Sequence, residues 1–193
     1  PIIGIAAADT TVDCFRVPFI DEQQPKSASL VVNPFVEWLN NNGGASATDD
    51  CGEVTWSNDF DGYFIKGECG NTGFATVTFT AEDECGNTAT TTATFYLQDT
   101  TAPAFVEMLP KDTTVNCDAV PAMETLTATD NCGTADVTAD ADTTYSELCP
   151  ANYTIVRTWI AEDECGNTTS HTQTITVQDT IAPVWNEAAE SLN

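Results

Sequence analysis

The sequence predicts an all-β protein in which one sandwich unit is used twice, and three observations carry that reading. Residues 81 to 88 and 161 to 168 are the same eight letters, Ala-Glu-Asp-Glu-Cys-Gly-Asn-Thr, placed 80 positions apart. A fixed period of that size marks a repeated folded unit. Gln98-Asp99-Thr100-Thr101-Ala102-Pro103 returns at the same spacing as Gln178-Asp179-Thr180-Ile181-Ala182-Pro183. Before each repeat of these anchors, apolar residues alternate with threonine at period two, the pattern of half-buried strands.

The cysteines set the copy boundaries. Cys69 and Cys149 are 80 apart, Cys51 and Cys132 are 81 apart, and Cys14 and Cys117 are 103 apart. The first copy therefore holds 22 additional residues, placed within 15–50. The reading is a first repeat over 1–98, a second over 99–178, and a linker with the start of a following repeat over 179–193. Pro1 reads as the end of a preceding linker, so the chain is expected to be part of a longer array.

The strands follow in order. In the first copy, residues 74–81 place Ala75, Val77, Phe79 and Ala81 on one face, and 89–97 place Ala93, Phe95 and Leu97 inward with Thr94 and Tyr96 outward. The second copy repeats both strands at 154–161 and 169–177, with Trp159, Ile175 and Val177 as core candidates. Arg157 stands where the first copy has Val77 and is assigned to a sheet margin. The insertion holds one helix: Asn33 caps it, Pro34 suits its first turn, and Phe35, Trp38 and Leu39 share a face. Asn42-Gly43-Gly44 stops it. Short strands separated by turns, at this period, predict an immunoglobulin-like sandwich. In the second copy, strand A covers 113–117, B 125–129, C 135–141, F 154–161 and G 169–177.

That topology predicts disulfides. Strands B and F run the same way on opposite sheets, so the loops after them lie at one end. The end of A and the start of F lie at the other. The expected pairs are Cys132–Cys165 and Cys117–Cys149, and likewise Cys51–Cys85 and Cys14–Cys69. Each closes a loop of roughly 30 to 60 residues, worth about 3 to 4 kcal/mol. Matched cysteines in small β units imply an oxidising, extracellular setting.

Thirty acidic residues stand against five basic ones, a formal charge of −25. Such a surface repels phosphate backbones and excludes a nucleic-acid or polybasic membrane role. No apolar run is long enough to insert in a membrane. The same end of each sandwich gathers acidic loops: Asp99, Asp130, Asn131, Asp163, Glu164 and Asn167 for the second copy, and Asp49, Asp50, Asp83, Glu84 and Asn87 for the first. Asp179 occupies the equivalent of Asp99 in the following linker. Converging carboxylates repel one another, and oxygen ligands on flexible loops suit Ca2+. Calcium here would fix linker and repeat in one orientation; the alternative is a solvated acidic loop.

No catalytic set is visible. His171 is the only histidine, and its counterpart in the first copy is Thr91. No glycine-rich phosphate loop is present, and the paired acids lie on turns rather than in a desolvated pocket. The chain is expected not to be an enzyme. A binding module is the competing reading, with Trp38 and Trp56 of the insertion region as stacking residues for carbohydrate.

Three segments carry a family resemblance. Thr-Ala-Thr-Asp-Asn-Cys-Gly at 127–133, Arg-Thr-Trp-Ile-Ala-Glu-Asp-Glu-Cys-Gly-Asn-Thr at 157–168 and Thr-Gln-Thr-Ile-Thr-Val-Gln-Asp-Thr-Ile-Ala-Pro at 172–183 resemble the hyalin-repeat (HYR)-like modules of Bacteroidetes surface proteins. Such modules recur in giant gliding-motility adhesins of the SprB type. Asn33–Cys51 resembles a longer variant of the module. The resemblance implies a secreted cell-adhesion filament on the bacterial outer surface, exported by type IX secretion. Its partners would be neighbouring repeats of the same chain, and surface polysaccharide through a distal tip. The linker and the acidic Gly-Asn loop also resemble cadherin junctions, although this linker has a single acid, Asp99. Asp-Thr-Thr or Asp-Thr-Ile at 99, 112, 142 and 179 resembles an O-glycosylation signal of that bacterial group.

Overall fold

A computed structural model describes residues 1–14, 34–147 and 151–183. The fold is all-β and immunoglobulin-like, with one short α-helix among the described residues. The chain divides into two compact units. Unit 1 comprises Pro1–Ala104 together with Thr129–Ala135 and Glu162–Thr168, and unit 2 comprises Phe105–Ala128, Asp136–Ala161 and Thr169–Asn193.

Unit 1 contains β1 (Ile2–Ile5), β2 (Thr10–Asp13), α1 (Pro34–Asn40), β3 (Ser46–Thr48), β4 (Val54–Asn58), β5 (Ile65–Lys66), β6 (Gly73–Asp83) and β7 (Thr88–Gln98). Its main sheet runs β2-β7-β6-β4, with β5 also on β6, and β1 pairs with β3. The long hairpin β6–β7 is in register from Gly73↔Leu97 to Glu82↔Thr88. That register puts every residue expected inward on one face. Val77, Phe79, Ala81 and Phe95 are fully buried, and Ala75, Ala93 and Leu97 nearly so. Strand β2 runs parallel to β7, Thr10 beside Phe95 and Asp13 beside Gln98.

Helix α1 lies over this face. Phe35 packs edge-on to Phe95 at 5.2 Å, and Trp38 edge-on to Phe79 at 5.2 Å. The indole Nε1–H of Trp38 donates to the Ala8 carbonyl at 3.2 Å. At seven residues α1 is too short to be stable alone, so this aromatic burial holds it. Its chain leaves through Asn42 and Gly43 at positive φ, 52° and 64°. A β-carbon on Gly43 would stand 2.9 Å from the Phe79 ring and 3.0 Å from the Ala7 methyl, so only glycine fits. The expected cap, Asn33, lies outside the described residues.

Unit 2 is built on β8 (Ala104–Phe105), β9 (Thr113–Asn116), β10 (Ala128–Thr129), β11 (Ala135–Tyr145), β12 (Tyr153–Asp163) and β13 (Thr168–Gln178), some of whose end residues fall in unit 1. Its sheet runs β11-β12-β13-β9, with β9 parallel to β13. Trp159, Ile175 and Val177 fill its core as expected. The predicted strand B shrinks to Ala128–Thr129, which pairs with β8.

Arg157 is not at a sheet margin: it is 6% exposed, on the core face. Its guanidinium donates to the carbonyls of Pro121 at 2.6 Å and Ala122 at 3.0 Å, and to Gln173 Oε1 at 3.5 Å. Trp159 Nε1 donates to the Glu124 carbonyl at 2.9 Å, and Gln173 Nε2 to the Lys111 carbonyl at 2.9 Å. In the first copy the facing pair at these positions is Val77 and Ala93, under an apolar helix. In the second copy an irregular backbone covers the sheet, and its buried carbonyls need donors. Arginine and glutamine supply them.

Candidate cation site

The two turns that carry the repeated acidic motif are built alike in both copies. Asp83 Oδ1 accepts from the backbone N–H of Cys85 at 2.9 Å and of Asn87 at 2.8 Å, and Oδ2 accepts from Asn87 Nδ2 at 2.8 Å. Asp163 does the same for Cys165 and Asn167, at 2.8, 2.9 and 2.9 Å. Asp49 and Asp130 each hold the N–H of the cysteine two residues on, Cys51 at 2.9 Å and Cys132 at 2.7 Å. These are Asx turns, the local chemistry that the Asp-x-Cys spacing allows.

Their surroundings within unit 1 differ. The 130–133 and 162–168 turns are packed against the end of β2, the segment before β6, and the linker after β7. Asn131 Nδ2 donates to the Cys14 carbonyl at 3.0 Å. Asn71 N–H donates to the Cys132 carbonyl at 2.7 Å, and Gly70 N–H to Glu164 Oε2 at 3.0 Å. Glu164 Oε1 accepts from Thr134 at 2.7 Å, and Asn167 Nδ2 reaches the Asp99 carbonyl at 3.3 Å. Gly70 has φ 48°, and a β-carbon there would meet the Cys132 carbonyl oxygen at 2.8 Å.

This packing corrects the expected disulfides. Cys14 is bonded to Cys132, and Cys69 to Cys165, with Cα separations of 5.6 and 5.1 Å. The topological argument brought Cys14 near the start of β6 and Cys132 near the turn after β12, as expected. It treated each copy alone, whereas the linker folds the two sets together, so four cysteines meet and Cys14–Cys69 and Cys132–Cys165 give way to the crossed pairs. Cys51 and Cys85 are unpaired and exposed, so that predicted bond is not formed either. Cys117 is exposed and has no disulfide among the described residues; its expected partner, Cys149, lies outside them.

Around the cluster the acids converge. A carboxylate oxygen each of Asp13 and Asp99 and the sulfurs of Cys14 and Cys132 lie within 4.8 Å of one another, as do one oxygen each of Asp99 and Asp163 and the sulfur of Cys165. Asp99 is held above its ordinary range by burial, then by the charges of Asp130, Asp163 and Asp13. For Asp163 burial acts upward, but the hydrogen bonds from Asn167, Cys165 and Gly166 outweigh it and lower the carboxyl. Asp13 is lowered by the Thr101 hydroxyl and the N–H groups of Thr100 and Cys14. Glu164 is lowered by Thr134 and Gly70. Asp130 Oδ2 is buried with no hydrogen-bond partner among the described residues.

Of the expected ligands, Asp99 and Asp163 are brought together, and Asp130 acts on Asp99 through its charge. Asn131, Glu164 and Asn167 serve as hydrogen-bonding struts beside them. Asp49 and Asp83 organise their own turns through the N–H groups of Cys51 and Cys85, while Asp50, Glu84 and Asn87 are exposed. Asp179 is exposed in unit 2, where its backbone is held by Asn152. Sequence reasoning missed Asp13. The signal was present: Thr-Thr-Val-Asp-Cys ends the strand beside the linker, and its counterpart Asn116 also accepts from the following linker, from Thr180 N–H at 3.4 Å. Trp38 is only 8% exposed and enclosed by Phe35, Phe79 and Phe95, which removes it as a stacking surface. Trp56 is half-buried against the same core.

Among solved structures, the chain is similar to Drosophila N-cadherin EC1-4, at 11% identity over 90% of this chain and 48% of that one, with a TM-score of 0.33. Protocadherin gammaB7 EC3-6, a cis-dimer structure, is 12% identical over 93% of this chain and 47% of that one, TM-score 0.31. The tandem Ig repeats of Dlar are 14% identical over 66% and 83%, TM-score 0.24. The chain thus spans about half the length of the two cadherin-type structures. No curated protein matches it. The turns, the cysteine spacing and the Ig-like sheet of the second copy agree with the family comparison: residues 105–177 match the HYR-like domain with 4 cysteines.

Proposed function

We propose that the chain is a stretch of tandem structural repeats, 1–98, 99–178 and the opening of another at 179–193, from a long secreted cell-surface adhesin. The coarser part of this reading, an Ig-like repeat domain of extracellular type, rests on the HYR-like match and the disulfides. Gliding motility, type IX export and a bacterial outer surface are the finer part, supported by the sequence resemblance.

Calcium stiffening is carried by one observation: Asp130 Oδ2 is buried without a hydrogen-bond partner among the described residues, and its charge acts on Asp99, an acid desolvated among the charges of Asp130, Asp163 and Asp13. A buried carboxylate oxygen without a donor costs free energy unless a cation or proton meets it. Asp99 with Asp13, and Asp99 with Asp163, bring pairs of the hard oxygen donors that Ca2+ takes within 4.8 Å of each other, and Asp130 adds its charge, so the donor chemistry fits. Bound there, an ion would supply positive charge among the carboxylates of the linker and its neighbouring turns. The residues themselves hold the linker, through Asp13 on Thr100 and Asn167 on the Asp99 carbonyl.

Thermal unfolding of the chain in calcium and in EDTA tests this. A calcium-dependent rise in Tm, lost in Asp163→Ala and in Asp99→Asn, is the expected result. Identical melting in both buffers overturns the stiffening mechanism and leaves the repeat reading standing.

A further inference from the structure

Cys51 and Cys85 are placed like two cysteines that already have partners. Cys51 corresponds to Cys132 and Cys85 to Cys165. The four Asx turns around them agree within about 0.2 Å in every hydrogen bond compared. The glycine after the first cysteine also packs alike: a β-carbon on Gly52 would lie 3.4 Å from Glu84 Cδ, and on Gly133 3.5 Å from Glu164 Cδ. Strand pairing sets Val54 opposite Asp83, which brings the chain just before β4 beside the turn after β6. Yet Cys51 and Cys85 do not bond to each other, and both face solvent, whereas Cys132 is fully buried on Cys14.

We propose that Cys51 and Cys85 are the acceptors for two cysteines of another copy of this repeat, counterparts of Cys14 and Cys69, so that a continuous array is cross-linked twice at every step. Cys117, exposed and unpaired among the described residues, offers the donor side of the same contact, as the counterpart of Cys14. Its companion by sequence, Cys149, lies outside the described residues. Each bond forms from two thiols, which lose two protons and two electrons to a disulfide oxidant such as oxidised glutathione or a thiol–disulfide oxidoreductase. The oxidant leaves as two thiols. The inference rests on the repeat-array reading but not on calcium, and its test reads bonds rather than function.

The test is a tandem protein, residues 1–182 followed directly by 1–193, so that Pro1 of the second segment takes the place of Pro183. It is folded in a glutathione redox buffer and mapped by mass spectrometry without reduction. The expected map joins the Cys51 peptide of the second segment to the Cys117 peptide of the first, and the Cys85 peptide to the Cys149 peptide, with Cys14–Cys132 and Cys69–Cys165 in both segments. In the single chain, Cys51 and Cys85 should remain open to alkylation. A Cys51–Cys85 bond, or free Cys51 and Cys85 in the second segment, overturns the proposal. So does a map with Cys14–Cys69 and Cys132–Cys165, because the template pairing would then be wrong. A tandem variant with Cys51→Ser and Cys85→Ser in the second segment should fold with its other bridges intact and leave the Cys117 thiol of the first segment reactive.

Discussion

Two pairs of turns in this protein share their Asp-x-Cys-Gly spacing and local hydrogen bonds and differ in almost everything around them. The Asp49-Cys51 and Asp83-Cys85 turns are open to solvent, while the Asp130-Cys132 and Asp163-Cys165 turns are packed, disulfide-bonded and ringed by other acids. The local chain therefore makes a turn able to accept a partner, and only the partner makes it a site. The same carboxylate that merely organises its own turn at Asp83 becomes, at Asp163, one of several acids sharing a small space.

The largest break in this comparison should come from the sulfurs. Cys14→Ser with Cys132→Ser removes a bridge closing 118 residues of sequence, worth about 5 kcal/mol on the loop-entropy account. Cys51→Ser with Cys85→Ser should change the single chain by less than about 0.5 kcal/mol, as surface substitutions do. Urea unfolding of both double variants checks it; equal losses would mean that the open turns are closed in solution.

Next comes the cation. At a hundredfold excess of calcium over its Kd, binding adds about 2.7 kcal/mol, and Asp163→Ala should abolish that gain. Asp83→Ala should retain it, since Asp83 lacks the ring of acids. A calcium response lost equally in both variants would erase the distinction drawn between the turns.

A smaller effect separates conformational strain from packing. Gly86 and Gly70 both sit at positive φ, but only Gly70 stands against the Cys132 carbonyl. Gly86→Ala should cost about 1 to 2 kcal/mol for its backbone conformation, and Gly70→Ala measurably more. Denaturant midpoints that coincide would show that the contact at Gly70 yields freely.

The smallest effect belongs to Glu164 against Glu84. Glu164 is lowered by Thr134 and Gly70, so its contribution is present above the unfolded-state value near about 4.3 and is lost as pH falls through the lower folded value. Glu164→Gln should therefore reduce Tm slightly at neutral pH and match the parent in stronger acid, whereas Glu84→Gln, at an exposed side chain, should change Tm less at neutral pH. A pH-independent Tm difference for Glu164→Gln would assign its role to shape rather than charge.

Much of the fold was legible because its causes are local. Alternation over 74–81 and 89–97 placed seven core residues correctly, since strand periodicity depends only on the chain's own geometry. Phe35 and Trp38 at helical spacing announced a buried helical face. Arg157 was misplaced for an instructive reason: an arginine in an apolar register reads as marginal until the backbone that it satisfies is seen. Asp13 was missed because it becomes acidic company for Asp99 only after β2 has docked along β7.

What the sequence determined by itself was the repeat, its strands and its acid-bearing turns. These follow from side-chain period and turn chemistry, which act over a few residues. The tertiary structure alone decided which sulfur meets which, which acids crowd together, and why two identical turns differ. Those outcomes depend on contacts between residues some 100 positions apart in the chain, and no local preference can choose among partners that folding brings equally near.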